Sequence, residues 1–99
     1  MFWGTTTFKV TGWSAELAEA LSAWKAHIEV AHPLVTEVRC YRYDGSTTVV
    51  WQEGFANFHD YQGLIEEEDD RCESVMAAVF AHMVPGTREG KIWTGVVEG

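Results

Sequence analysis

Four histidines, two cysteines and a run of acids carry most of the side-chain chemistry open to these 99 residues. The first group lies in "AHIEVAH", residues 26–32. Histidines that share a metal on one helix usually stand four apart, as in HExxH. His27 and His32 are five apart, which separates them by about 140° on a helix turning about 100° per residue. Pro33 also disfavours helical geometry at His32, so the helix should end near Ala31 and throw His32 off it. This spacing speaks against a shared metal. It leaves His32 as a helix-end residue, where a protonated ring or a donated hydrogen bond is favourable. His27 sits beside Trp24 on the flank of an apolar stripe. It is either a half-buried boundary residue or a proton-handling group that looks into a pocket under the helix.

The run "EEEDD", residues 66–70, offers carboxylates to calcium or magnesium but lacks the alternating donors and central glycine of a calcium loop. A solvated helix start suits it better, because acids favour the positive end of a helix dipole. His59 and Tyr61 open a helix just beyond a strand, where the rim of a pocket can form. There a histidine could act as a base towards a phenol, the plainer alternative being an exposed first-turn residue. Cys40 and Cys72, with no CxxC pair and no base nearby in sequence, read as small, reduced core fillers. Neither GxSxG nor a glycine-rich phosphate loop occurs. The residues imply neither a metal nor a cofactor.

These groups must be held by a fold, and the pattern along the chain is legible. "FWGTTTFKV" is β-branched and aromatic and ends at "TGW", which reads as a strand and a turn. Ser14 is a good N-cap, with Glu16 and Glu19 suited to the dipole. Leu17, Leu21, Trp24, Ile28 and Ala31 then form one helical stripe. "VTEVRCYRY" and "TTVVWQEGF" are strands joined through Asp44-Gly45, a hairpin signal. "NFHD" opens a second helix, capped by Asn57, whose pattern continues to Met83 before "VPGT". Unbroken, it would be about 40 Å long at about 1.5 Å per residue. That exceeds a domain with a radius of gyration near about 13 Å. A break between Gly63 and Asp70 is expected, with Cys72, Met76, Val79, Phe80 and Met83 facing inward. "GKIWTGVVE" closes the chain as a fourth strand. The order β-α-β-β-α-β is the ferredoxin-like split motif, an α+β fold with a four-stranded antiparallel sheet and two helices on one face. It should form a single domain over residues 1–99.

The totals narrow the function. Seven basic against fifteen acidic residues give a formal charge of −8, which repels phosphate backbones and anionic lipid heads. Nucleic-acid and membrane binding are not expected. No stretch approaches the roughly 20 apolar residues of a membrane helix. "MFWGTTTFKV" has no charged segment leading into an apolar run, so no secretory signal is read, and a cytoplasmic location is expected.

Strand alternation divides the sheet into two faces. Val38, Cys40, Phe8 and Ile92 suit the helix side. The remaining set holds Trp3, Tyr41 and Trp93, with Trp51 a further candidate. It is too aromatic to stay wet, and its interleaved charges are wrong for a core. Amphipathic aromatics with arginine are what protein interfaces favour. The expected partner is a second copy, in a homodimer formed sheet against sheet.

With that element order, and with "VVWQEGFANFHDYQGL" and "VPGT", the chain resembles the dimeric α+β barrel proteins. These include antibiotic-biosynthesis monooxygenases, NIPSNAP-like proteins, stress-responsive and cyclase-type barrels, and heme-degrading monooxygenases. The resemblance implies a two-subunit barrel with a small-molecule pocket between sheet and helices. It also implies a cofactor-independent monooxygenase that lets a bound aromatic or polyketide-like substrate react with oxygen. No catalytic residue is carried over, since only His82 stands late in the second helical region. The residues themselves nominate His59, His27 and Tyr61 as proton handlers and Phe8, Trp24 and Trp51 as pocket walls. The rival readings are a non-catalytic, ligand-sequestering dimer and a heme-binding or heme-degrading protein.

Overall fold

The computed structural model describes residues 1–66 and 69–96. Four strands and three helices follow in the order β1 (Phe2–Lys9), α1 (Ala15–Ala31), β2 (Val35–Arg42), β3 (Thr48–Phe55), α2 (Phe58–Glu66), α3 (Asp70–Phe80) and β4 (Glu89–Thr94). The strands form one antiparallel sheet in the order β2-β3-β1-β4. This is the ferredoxin-like arrangement expected from the sequence. The expected second helix is two helices, and the break falls within the interval Gly63–Asp70. A radius of gyration of 13.6 Å leaves no room for the unbroken version.

Local signals explain most boundaries. The Ser14 side chain accepts the Leu17 N–H and starts α1. At the other end the His32 N–H bonds to Ile28 O, and Pro33 follows. Gly45, at φ 75°, turns the β2–β3 hairpin, which Tyr43 N and Thr48 O close at 2.9 Å. Asp69 caps α3 by accepting the Cys72 N–H. Strand β4 ends at Thr94, short of the expected stretch, because its partner β1 begins at Phe2 and the ladder runs out. Residues 97 and 98 of that expected strand lie outside the described residues, as do Glu67 and Glu68 of the acidic run.

The register settles the two faces. Phe2, Gly4, Thr6 and Phe8 pair with Phe55, Glu53, Trp51 and Val49, all on the helix side. Trp51 therefore faces the helices, against its candidacy for the open face, and stacks on Trp24 of α1 at 3.7 Å between ring centres and 4° between planes. Phe8 and Trp24 both meet Phe80 of α3 edge-on. Such ring pairs add about 0.5–1.5 kcal/mol beyond the area they bury. The shift in pairing between Val35 and Glu37 is a bulge at Thr36. It lets Val35 and Val38, three apart, both pack towards the core. The α1 stripe holds as expected at Leu17, Trp24 and Ile28, but Ala31 is exposed and buried His32 follows it.

Candidate functional site

Helices α1, α2 and α3 do not close completely over β1, β3 and β4. They leave a cavity of about 560 Å³ whose floor is the helix side of the sheet. Trp24, Ile28, Phe55, Leu64 and Met76 supply apolar wall. Glu53, Tyr61, His32, Asp69 and Cys72 place polar atoms among them. Exposed Arg88, Gly90, Lys91 and Ile92 also line it, so the mouth lies along β4. Tyr61 reaches the sheet because residue 4 is glycine: a Cβ there would lie 3.0 Å from the tyrosine ring.

Glu53 is the group that the sequence reading missed. The β3 alternation Val49-Trp51-Glu53-Phe55 puts a carboxylate between two fully buried rings on the inward face. That signal was available, and it was lost with the assignment of Trp51 to the open face. Trp51 Nε1–H donates to Glu53 Oε1 at 3.0 Å, while Oε2 is buried with no hydrogen-bond partner. Burial pushes this carboxyl up from its ordinary range, opposed by the Trp51 bond and by the charge of His32. The Trp24 indole nitrogen is likewise buried without a partner of ordinary geometry. Cys72 is near enough to feel that indole, but sulfur is a weak acceptor. Burial pushes the Cys72 thiol up, and the charges of Asp69 and Glu53 add to the effect.

A second cluster adjoins the first. His27 Nε2 and His32 Nε2 lie 2.7 and 2.6 Å from the same oxygen, Oδ2 of Asp69. The two histidines do not point apart, as a straight helix would require. The α1 helix ends at Ala31, so the His32 ring, on cap geometry of φ −125° and ψ 80°, meets the same carboxylate as His27. Asp69, 37 and 42 residues away in sequence, could not be paired with them by spacing. Its carboxyl is held far below the ordinary range, first by the Cys72 N–H and then by the histidines, against some desolvation. From the acidic run, Asp69 and Asp70 do begin α3, as a helix start should.

The nominated residues are distributed unevenly. Tyr61 and Trp24 line the cavity. His27 is half-buried on its Asp69 bond and His59 is exposed on the first turn of α2; neither is among the lining residues. Phe8 and Trp51 are fully buried in the core behind the wall, not on it. Cys40 and Cys72 are free, half-buried thiols.

No protein-family model matches the sequence, and no curated protein matches it. Solved structures match over nearly the whole chain. SnoaB, a cofactor-independent oxygenase from Streptomyces nogalater, aligns with a TM-score of 0.78 at 15% identity, over 98% of this chain and 94% of that one. A candidate antibiotic biosynthesis monooxygenase from Caulobacter crescentus gives 0.78 at 16% identity, over 97% and 90%. A NIPSNAP domain protein from Burkholderia xenovorans gives 0.68 at 13%, over 97% and 95%. The chain has the ferredoxin-like α+β fold of these monooxygenase-like and NIPSNAP structures, and at such identities the fold is what the likeness establishes.

Proposed function

We propose that the cavity binds a small aromatic or polyketide-like molecule and that the chain oxygenates it without a cofactor. The observation that carries this reading is Glu53, a desolvated carboxylate on the wall of an aromatic-lined cavity. About 560 Å³ is the size that ligand pockets have. A carboxylate whose pKa is raised by burial is a stronger base at neutral pH than one in water. It would take a proton from an acidic ring position, such as the methylene of an anthrone. The carbanion passes one electron to dioxygen, and the resulting radical and superoxide combine as a peroxide. Protonation and loss of water then leave a carbonyl. In sum, CH2 and O2 become C=O and H2O, with the substrate as the reductant. Tyr61 is placed to donate to the substrate oxygen, and Trp24 presents a wall whose N–H is unserved. His59 and His27, nominated from sequence, fall outside the lining, so the base role passes to Glu53.

The working unit in this reading is a homodimer. Its support is the open face, where Trp3 pairs directly with Trp93 and Arg39 lies over the Trp3 ring at 5.0 Å. Trp93 and Tyr41 are about half exposed on the isolated chain.

Oxygen uptake with a panel of anthrones and hydroquinones tests the chemistry. Glu53→Gln keeps the shape and should lower uptake by about 100-fold or more. Full uptake in that variant removes Glu53 as the base. Ligand binding without any uptake in the native protein would leave a sequestering protein instead.

A further inference from the structure

We propose that His27, His32 and Asp69 form a binding site for a divalent transition-metal ion of the zinc class, on the wall of the cavity. Their ligand atoms, two imidazole nitrogens and one carboxylate oxygen, all lie within 4.8 Å of one another. Two neutral imidazoles and a carboxylate are the donor set that zinc, cobalt, nickel and ferrous iron share, whereas calcium and magnesium prefer oxygen alone. The site is sheltered: the His32 side chain is 4% exposed, and those of His27 and Asp69 are 16% and 18%.

The distances bear on how an ion would enter. Ligands of one tetrahedral ion at about 2.0 Å stand roughly 3.3 Å apart. The present 2.6 and 2.7 Å are hydrogen-bond lengths, so Asp69 Oδ2 must withdraw from each nitrogen by roughly 0.6–0.7 Å. Asp69 need not rotate away to do so, because its other oxygen is fixed by the Cys72 N–H at 2.9 Å. That bond is the outer-shell contact that orients a ligating carboxylate. Coordination needs both imidazole nitrogens free of protons, so any proton on them would leave as the ion arrives.

His32 and Asp69 both line the cavity, so the coordination positions that the protein leaves vacant fall on that side. A second observation marks the same cavity as built for a bound group. Trp24, only 3% exposed, presents an indole N–H served at most by the weak acceptor Cys72, and Glu53 Oε2 is buried with no hydrogen-bond partner. An ion carrying water or an anionic oxygen ligand beside them would bring the hydrogen-bonding atoms that these groups lack. The proposal is independent of the oxygenation reading, since the ion can bind whether or not the cavity oxidises anything.

Cobalt is the probe. Adding cobalt chloride to the chelator-treated protein should produce visible d–d absorption that saturates at one ion per chain, and zinc should displace it. Apparent affinity should fall by more than about 10-fold in His27→Ala and in His32→Ala, and stay unchanged in His59→Ala. Asp69→Asn also removes a helix cap, so its thermal stability must be checked separately. His27→Ala, on α1 and away from the α3 cap, provides the variant that keeps the cap. Zinc should raise the melting temperature of the native chain and not that of His27→Ala. Absent cobalt absorption, or binding that both histidine variants retain, overturns the proposal; in the second case the ion is adventitious at the surface.

Discussion

The two faces of the sheet are built from the same alternating strands, yet they solve opposite problems. On the helix side, Phe8, Val49, Trp51 and Phe55 are essentially inaccessible, and their rings meet α3, α1 and α2 in stacked and edge-on pairs through Phe8, Trp51 and Phe55 respectively. On the open side, Trp3, Tyr41 and Trp93 stand among Arg39, Glu37 and Gln52, with Arg39 over one ring and bonded to Glu37 at 2.6 Å. Aromatic content alone does not distinguish them. The difference lies in the company: closed-face rings pack on rings, and open-face rings are interleaved with charge. A core excludes charge because burying it is costly, whereas an interface tolerates it at the rim. Arg42, opposite Val49, stays exposed at the edge of the closed face, whereas Glu53 intrudes between its buried rings and sits where the helices fail to close.

Removing the stack at the heart of the closed face should have the largest effect. Trp51→Ala is expected to cost about 3–5 kcal/mol in denaturant unfolding. A cost below about 1 kcal/mol would mean that the face draws its stability from elsewhere.

Trp93→Lys addresses the other side. It should leave the chain folded while halving the mass seen by sedimentation, because central aromatic residues of interfaces contribute about 2 kcal/mol or more to association. A variant that still sediments as a dimer places the contact on another surface, and a native chain already monomeric at micromolar concentration removes the interface altogether.

Two glycines sharpen the contrast. A Cβ at Gly4 would meet the Tyr61 ring, and one at Gly54 would meet the Trp3 ring, each at 3.0 Å. Gly4→Ala should cost about 1–3 kcal/mol, since Tyr61 is held between Phe2 and Phe55 and cannot retreat. Gly54→Ala should cost less in the monomer, where the partly buried Trp3 ring has no helix packed over it and can swing out. Equal costs would argue that Trp3 is clamped as firmly as the core.

The gentlest test concerns charge on the closed face. The folded pKa of Glu53 is raised, so native and unfolded chains are equally protonated well below the unfolded value of about 4.3. As pH rises through that value the unfolded chain releases its proton first and stability falls, the loss being complete above the folded pKa. Glu53→Gln should therefore melt higher than the native protein at pH 7 to 8, with the gap closing towards pH 4. A gap that persists at pH 4 assigns the effect to packing.

The site was less legible than the fold, for a reason visible in particular residues. Ser14, Pro33, Asp44-Gly45 and the pattern from Asn57 to Met83 act over a few residues, and each placed a boundary correctly or nearly so. Tyr61 and Trp24 reached the cavity because their elements were right. Trp51 was assigned to both faces, and the uncertainty hid Glu53 two residues on. The end of α1 before His32 was legible from Pro33, but the distant cap Asp69 that brings His27 and His32 together was not.

The sequence by itself determined the order of elements, the inward stripe of α1, the helix break and the aromatic excess on the strands. These follow from periodicity and from local backbone chemistry. Only the tertiary structure decided that Trp51 faces Trp24, that Glu53 is desolvated, and that Asp69 meets two histidines. Register and helix docking set those contacts, and both arise from interactions between segments tens of residues apart, to which no local pattern is sensitive.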